Sequence, residues 1–207
     1  MKKLHALLIG NGDPVPPAFL RTLAAQADAV FAADGGADAC ARARLEPQAV
    51  IGDLDSVSPA LKRRWADKLL CVNTQQNTDL EKSLRYLIKQ GFSSCTLAGF
   101  WGGRADFAVG NLLALLRFAH KIKLRAVTPA ETVYPVLKSM RLPCTKGKRV
   151  SLIAVKNCRG VTLKGLKYPL QNASVALGST LTLSNVARAN AFEVSLRTGA
   201  LLVYTEN

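Results

Sequence analysis

Two aspartates separated by one residue, Asp53 and Asp55, stand out because this chain is poor in acidic residues. Its 207 residues include 14 Asp and Glu against 28 Lys and Arg, a formal charge of +14. The pair follows a short apolar run, 49–51, that predicts a buried strand. On an extended segment, both carboxylates would face one side and could bind one cation. Taken alone, however, the pair favours a turn held by side-chain to backbone hydrogen bonds.

Further carboxylates also lie just after predicted strands. Asp34 and Asp79 each come soon after a predicted strand, and Asp13 follows the first strand less closely. In a parallel sheet the carboxyl ends of the strands share one edge, where ligands bind. Like charges gathered there repel one another unless a cation lies among them, and Mg²⁺ prefers oxygen ligands. The repeated position therefore favours a magnesium site over a set of unrelated turns.

A second group of residues suits phosphate. Gly102 and Gly103 lie between a predicted strand and a predicted helix, where glycine lets the backbone approach an anion and the helix N-terminus favours negative charge. Arg104 adds a fork of donors that matches phosphate. Asp106 could cap the helix or reach a ribose hydroxyl or a metal. The motif is neither a Walker loop nor GxGxxG, so a glycine-rich turn with a solvated arginine is the alternative.

The elements that would position these residues alternate over the first 128 residues. Short apolar strands are predicted at 5–9, 30–33, 49–51, 69–72, 95–98 and 123–127, with a helical pattern after nearly every one. This alternation predicts a Rossmann-like α/β domain with a parallel sheet covered by helices on both faces. In the helix predicted over 78–89, Thr78 and Glu81 have the spacing of a capping box.

The pattern changes after about residue 130. Short strands recur roughly every ten residues, separated by Gly- and Asn-containing turns, as in an antiparallel sandwich or small barrel. One of these strands is predicted over 179–183, and the Ser184-Asn185 turn that follows it suggests no function by itself. We therefore predict an α/β domain over 1–130 and a smaller C-terminal antiparallel β-sandwich domain over 131–207.

Composition narrows the functional classes. The positive charge attracts polyanions, but no nucleic-acid-binding motif is present and the basic groups lack interleaved aromatic residues for base stacking. No apolar run approaches the roughly 20 residues of a membrane span. Five cysteines, an odd number without CxxC spacing, argue against a zinc site or a disulfide framework. We expect a cytoplasmic protein with no nucleic-acid and no membrane partner.

Taken together, the motifs resemble the thiamine pyrophosphokinase family. The matching stretches, in the family's order over nearly the whole chain, are ADGGAD, IGDLDSV, NTDLEKSL, GGRADF, GLKYPL, GSTLTLSN and VSLRTGALLVY. The resemblance implies an α/β catalytic domain, a β-sandwich thiamine-binding domain, and a homodimer with active sites between subunits. It also implies Mg²⁺-dependent transfer of the β,γ-diphosphate of ATP to thiamine, which yields thiamine diphosphate and AMP.

The resemblance further implies roles for individual residues. The catalytic and Mg²⁺-binding carboxylates would be Asp53, Asp55 and Asp79. The ATP-binding residues would be Asp34, Gly102, Gly103, Arg104 and Asp106. The thiamine-binding residues would be Gln75 or Gln76, Ser184 and Asn185.

One residue departs from the family pattern, since Phe107 stands where the family usually has histidine. A nucleotide-binding regulator without catalysis is one alternative that this departure supports. A second alternative is a diphosphokinase of the same fold that acts on another alcohol, such as a hydroxymethylpterin. A third, a nucleic-acid-binding protein, is supported by charge alone and predicts strongly salt-dependent binding.

Overall fold

The computed structural model describes residues 3–74 and 76–207, which form two compact units. The first unit runs to Pro129 and the second from Ala130 to Asn207. The first combines a parallel sheet with helices, and the second consists of antiparallel strands. The predicted α/β class with a smaller antiparallel β-sandwich is confirmed.

Six parallel strands form the sheet of the first unit. They are β1 (His5–Ile9), β2 (Ala29–Ala33), β3 (Ala49–Gly52), β4 (Leu69–Cys71), β5 (Ser94–Ala98) and β6 (Lys123–Val127). Their order is β6-β5-β1-β2-β3-β4, and each neighbouring pair is parallel. The direction of strand addition reverses between β1 and β5. Parallel sheets bind ligands at such a reversal, beyond the carboxyl ends of the strands.

Five α-helices connect these strands. They are α1 (Pro17–Ala24), α2 (Gly36–Arg42), α3 (Pro59–Arg64), α4 (Asp79–Lys89) and α5 (Ala105–Phe118), with a 3₁₀ turn at Ala66–Lys68. The hydroxyl of Thr78 accepts a hydrogen bond from the Glu81 N–H at 3.3 Å and so caps α4 as predicted. The Glu81 carboxylate, however, pairs with Arg117 on α5.

The core of the first unit has two layers, one on each face of the sheet. In β1, Ala6 and Leu8 belong to one layer and Leu7 and Ile9 to the other, and all four are fully buried. Burial on both faces explains why these strands are continuous apolar runs rather than alternating patterns. The layers hold the carboxyl ends of the strands in fixed positions, which is what a site at that edge requires.

Two four-stranded antiparallel sheets form the second unit. The strands are β7 (Glu131–Val136), β8 (Met140–Pro143), β9 (Arg149–Ala154), β10 (Cys158–Lys164), β11 (Leu170–Val175), β12 (Asn185–Val186), β13 (Ala191–Ser195) and β14 (Leu201–Glu206). Their orders are β12-β9-β14-β7 and β11-β10-β13-β8. Alternate side chains from both sheets, such as Leu152 and Val194, share one core, as in a sandwich.

The strand predicted over 179–183 is absent from the described structure, which has turns there. Thr182 faces inward, and its hydroxyl donates to the Leu152 carbonyl at 2.7 Å. Leu181 and Leu183 are exposed instead. The prediction was wrong because the apolar alternation here lies on the outer side of the segment rather than on a buried strand face.

No helix within the described residues combines the length and the apolar character needed to cross a membrane.

Candidate active site

A pocket of about 400 Å³ opens beyond the carboxyl ends of the parallel strands. It is lined by both groups of residues that the sequence singled out. Its polar side chains are Asn11, Asp34, Asp53, Asp55, Ser56, Thr78, Asp79, Arg104 and Asn111. We refer to Asp34, Asp53, Asp55, Asp79 and Lys82 as the acidic edge, and to residues 99–104 as the glycine-rich loop.

Three carboxylates of the acidic edge meet at one point. One oxygen each of Asp34, Asp53 and Asp55 lies within 4.8 Å of the other two. Asp34 is only 6% exposed, and its buried Oδ1 has no hydrogen-bond partner among the described residues. Buried polar atoms are rarely left without a partner, so this oxygen fits a site that takes a cation.

Burial is the main influence on Asp34 and raises the pKa of its carboxyl group above the ordinary value. The nearby Ser56 hydroxyl and Gly35 N–H oppose this rise in pKa, while the charges of Asp79 and Asp55 add to it, and the Ser56 hydroxyl itself donates to Oδ1 of Asp55 at 2.9 Å. The neighbouring groups therefore do not fully stabilise the ionised form of Asp34. A bound cation would supply what is missing.

The two aspartates of the pair converge through a turn and not along an extended strand, which corrects the expected geometry. Leu54 between them adopts a left-handed backbone with φ +68°. This conformation is strained for leucine, but its side chain is buried in the core and anchors the turn. The Asp55 N–H lies 3.5 Å from Oδ1 of Asp53, a long contact. The structure thus contains both the turn and the carboxylate cluster that the sequence left as alternatives.

Asp79 lines the same pocket, but its nearest partner is a lysine. The ammonium Nζ of Lys82 lies 2.8 Å from Oδ1 of Asp79 and 3.8 Å from Oδ2 of Asp53. Burial lowers the pKa of Lys82, but its hydrogen bond to Asp79 and the surrounding carboxylates outweigh burial and raise it overall. Sequence analysis missed Lys82, although its spacing of three residues from Asp79 on a helix is a recognisable signal.

Gly52 allows two of the carboxylates to approach each other. A Cβ added at this glycine would lie 2.9 Å from the Cβ of Asp34 and 3.1 Å from Oδ1 of Asp79. A side chain here would displace one or both of them. The glycine before the aspartate pair is thus part of the site and not only the end of a strand.

The glycine-rich loop is tied to the loop after β1. The Gly12 N–H donates to the Gly99 carbonyl at 2.6 Å, and the Asp13 N–H donates to the Trp101 carbonyl at 2.7 Å. The Asp13 carboxylate in turn accepts the Gly103 N–H at 3.0 Å. Asp13, the less certain member of the predicted acidic group, therefore caps this loop instead of joining the carboxylate cluster.

Arg104 and Asp106 form an exposed, two-pronged ion pair. Nη2 lies 2.6 Å from Oδ2 and Nε lies 3.1 Å from Oδ1. This pairing holds the pKa of Asp106 below its usual range and raises that of Arg104. The guanidinium also stacks on the ring of Phe107, 4.7 Å from its centroid. Arg104 faces the pocket, whereas Asp106 lines an adjoining groove between α4 and α5.

Two asparagines in the pocket wall were also missed. The side chain of Asn11 lies against Gly35, where an added Cβ would be 2.4 Å from its Nδ2. Asn111, buried on α5, donates from Nδ2 to the Phe100 carbonyl at 2.9 Å and so supports the glycine-rich loop. A buried amide inside an apolar helix is costly without such a partner, and that is the signal that could have revealed Asn111.

Two of the predicted thiamine-binding residues, Ser184 and Asn185, belong to the second unit. Gln75 is outside the described residues. Ser184, in the second unit, is exposed with φ +55°, and its N–H donates to the Ser151 hydroxyl at 3.0 Å. Asn185 is buried, and its side-chain amide exchanges hydrogen bonds with the backbone of Tyr168 at 3.0 and 2.7 Å. Asn185 therefore shapes its surroundings through the backbone of Tyr168.

Comparison with known families matches both units. Residues 20–127 match the model of the thiamin pyrophosphokinase catalytic domain, and residues 137–201 match that of the thiamin pyrophosphokinase vitamin B1 binding domain. This chain belongs to the thiamin pyrophosphokinase family. Among curated relatives, thiamine pyrophosphokinase of Bacillus subtilis (strain 168) is 29% identical over 157 residues, which cover 69% of this chain and 71% of the relative.

Solved structures of thiamin pyrophosphokinases share the fold over nearly the whole chain. The enzyme from Geobacillus thermodenitrificans is 25% identical with a TM-score of 0.87, over 99% of this chain and 98% of the other. The one from Candida albicans is 17% identical with a TM-score of 0.85, over 99% and 89%. The predicted family is therefore confirmed, and the enzyme class follows from it.

Proposed function

We propose that this chain transfers the β,γ-diphosphate of ATP to the hydroxyl group of thiamine, which yields thiamine diphosphate and AMP. The observation that carries the proposal is a pocket in which clustered carboxylates face a glycine-rich loop with a phosphate-matching arginine. Transfer of a diphosphoryl group depends on positioning and charge neutralisation more than on covalent chemistry, and such a pocket offers both.

The acidic edge fits Mg²⁺. Three carboxylates within 4.8 Å and the unpartnered, buried Oδ1 of Asp34 favour a hard cation with oxygen ligands. We propose Asp53 and Asp55 as metal ligands together with Asp34. Asp79, the third ligand that the family resemblance implies, lines the same pocket and is paired with Lys82. When bound, Mg²⁺ would neutralise charge on the phosphate oxygens. Asp55 and Asp79 both line the pocket, and either could accept the proton of the thiamine hydroxyl.

The nucleotide would lie along the glycine-rich loop. Arg104 would exchange its exposed partner Asp106 for phosphate, a small loss because solvent screens exposed ion pairs. Gly102 and Gly103 would let the triphosphate approach the backbone. Because the Gly103 N–H is already held by Asp13, that amide would either remain a loop contact or change partner on binding.

Thiamine would be bound by Ser184, with Gln75 as a further contact, while Asn185 would act through the backbone of Tyr168.

We further propose a homodimer whose active sites combine residues of both subunits. Exposed apolar side chains in each unit support this assembly, because patches of this kind favour protein contacts. They are Phe107, Val109 and Leu113 on α5, and Leu177, Leu181 and Leu183 before Ser184. Light scattering of the purified chain would measure its mass in solution.

We place the enzyme in the cytoplasm. All five cysteines are free thiols, as is usual in a reducing compartment.

Product analysis tests the reaction. The purified chain is incubated with ATP, Mg²⁺ and thiamine, and thiamine diphosphate and AMP should form in equal amounts, with none in the presence of a chelator. AMP formed only when a hydroxymethylpterin replaces thiamine would show that the acceptor is wrong. Intact ATP with every alcohol would overturn the proposed reaction.

A further inference from the structure

Lys82 is a cation built into the acidic edge. It lies in the first turn of α4, and only 4% of its side chain is exposed. The N-terminus of a helix carries a partial positive charge, so a lysine in the first turn is disfavoured. Burial of an ammonium group adds a further cost unless nearby partners compensate. The carboxylates around Lys82, and not the helix, must therefore account for its presence.

Two carboxylates share this ammonium group. Nζ lies 2.8 Å from Oδ1 of Asp79 and 3.8 Å from Oδ2 of Asp53. Asp53 also belongs to the cluster with Asp34 and Asp55. It therefore lies between a resident monovalent cation and the position that a divalent ion would take. At such distances the Lys82 ammonium group and a divalent ion would repel each other and compete for the carboxylate of Asp53.

We propose that Lys82 is a positioning residue, an internal counter-ion that holds Asp53 and Asp79 in place and at the same time weakens divalent-ion binding to the acidic edge. This inference rests on the proposed function, because it concerns the metal site of that reaction. The physical consequence is a cluster that stays assembled without metal and does not retain the ion tightly. Such a site suits an ion that enters with the nucleotide and leaves with the products.

Lys82→Met tests the proposal, since methionine keeps much of the apolar stem and removes the charge. Binding of Mn²⁺ alone, without nucleotide, is measured on the full chain by isothermal titration calorimetry. We expect Mn²⁺ to bind about tenfold or more tightly to the variant, because a unit charge 3.8 Å from the shared carboxylate of Asp53 has been removed. Mn²⁺ should also raise the melting temperature of the variant more than that of the unmodified protein.

Activity should change in the opposite direction. Because Asp53 and Asp79 lose their orienting partner, kcat should fall in Lys82→Met although the metal binds more tightly. A residue with only a structural role would not separate these two effects, since unfolding weakens both. Lys82→Gln serves as a second neutral variant if the methionine variant does not fold.

Two matched variants complete the test. Lys82→Arg keeps the charge and should bind Mn²⁺ with nearly the original affinity. Lys89→Met makes the same substitution at an exposed residue of α4 and should change neither property. Equal or weaker Mn²⁺ binding by both neutral variants overturns the counter-ion role, even if the unmodified chain forms thiamine diphosphate. Tighter binding without any thiamine diphosphate from the unmodified chain would uphold the role of Lys82 and refute the proposed reaction.

Discussion

The acidic edge and the glycine-rich loop face one pocket, but their charged side chains differ in solvent exposure. At the acidic edge, Asp34 is 6% exposed and the side chain of Lys82 is 4% exposed, the side chains of Asp53 and Asp79 are 30% and 32% exposed, and Asp55 lies at the surface. At the loop, the side chains of Arg104 and Asp106 are 73% and 63% exposed. Buried charges interact strongly and change partners at a high cost, whereas exposed pairs are screened and exchange easily.

Under the proposed function, this difference in exposure suggests that the acidic edge stabilises charge and that the loop binds substrate. The acidic edge is preassembled, down to a strained turn at Leu54 and a counter-ion at Lys82, as expected for a group that stabilises charge during reaction. The loop keeps its backbone fixed through Asp13 while Arg104 remains exchangeable, as expected for a group that captures a ligand. Substitutions at the first should therefore lower turnover, and substitutions at the second should weaken substrate binding.

The largest expected effect is at the acidic edge. Asp53→Asn keeps the shape of the side chain and removes one charge of the carboxylate cluster. We expect kcat to fall roughly a hundredfold or more, the scale seen when one preorganised charge-stabilising group is lost. Steady-state kinetics with thiamine and ATP measure this, and circular dichroism should show an intact fold. Asp67→Asn, at an exposed aspartate, is the control, and near-normal turnover of Asp53→Asn would refute the metal assignment.

The backbone of the loop offers a matched pair of glycine substitutions. Gly102 and Gly103 both have positive φ, +78° and +64°. A Cβ at Gly102 would lie 1.7 Å from Cγ of Asp13, whereas a Cβ at Gly103 meets nothing within 4 Å. Gly103→Ala should therefore cost only the strain of a left-handed alanine, about 1–2 kcal/mol.

Gly102→Ala should cost more, because it also expels Asp13 and loosens the loop. Urea denaturation measures both free energies of unfolding, and the KM for ATP reports on the loop. Equal losses of stability in the two variants would mean that Asp13 does not hold the loop in solution. Asp13→Ala should then reproduce the KM effect of Gly102→Ala without the steric clash, which separates the two causes.

A smaller effect is expected at the exchangeable arginine. Arg104→Ala should raise the KM for ATP about tenfold, the scale of one lost charge-assisted hydrogen bond in binding, and should lower kcat less. Its pairing with Asp106 is exposed, so the melting temperature should hardly change. Arg63→Ala, at an exposed arginine of α3, provides the comparison. An unchanged KM in Arg104→Ala would argue against a phosphate role.

The two regions also differ in how far sequence could predict them. Asp34, Asp53, Asp55 and Asp79 were expected at one edge because strand ends in a parallel sheet must coincide there, and all four line the pocket. The left-handed turn at Leu54 could not be predicted, because leucine has no local preference for it and only burial in the core stabilises it.

The sequence also could not predict hydrogen bonds between residues that are far apart in the chain. Asp13 and Gly103 are 90 residues apart, and only the adjacency of β1 and β5 brings them together. In the second unit, the alternation of Leu181 and Leu183 indicated a strand, yet the inward position is that of Thr182. Pattern alone does not distinguish a buried apolar face from an exposed one, and both leucines are exposed in the described structure.

The smallest expected effect is a pH dependence of stability at the amino end of the parallel strands, the edge of the sheet opposite the pocket. There, His5 lies between two hydroxyl groups, with Nδ1 2.8 Å from the Ser94 oxygen and Nε2 3.0 Å from the Thr96 oxygen. Because Thr96 accepts the Nε–H of Arg125 at 2.9 Å, its own hydrogen is available for Nε2. This network fits neutral histidine with the proton on Nδ1.

Burial, followed by the charge of Arg125, lowers the pKa of His5, and Asp28 partly opposes this. Below the ordinary histidine pKa of about 6.5 the unfolded chain binds a proton that the folded chain resists. The free energy of unfolding should therefore decrease slightly as pH falls from 7.5 through this range, until His5 also protonates in the folded state. His5→Gln should reduce this slope, and His120→Gln, at an exposed histidine, is the comparison variant. Thermal denaturation between pH 7.5 and 5.5 measures the slopes, and a slope that His5→Gln leaves unchanged would show that His5 is as easily protonated in the folded chain as in the unfolded one.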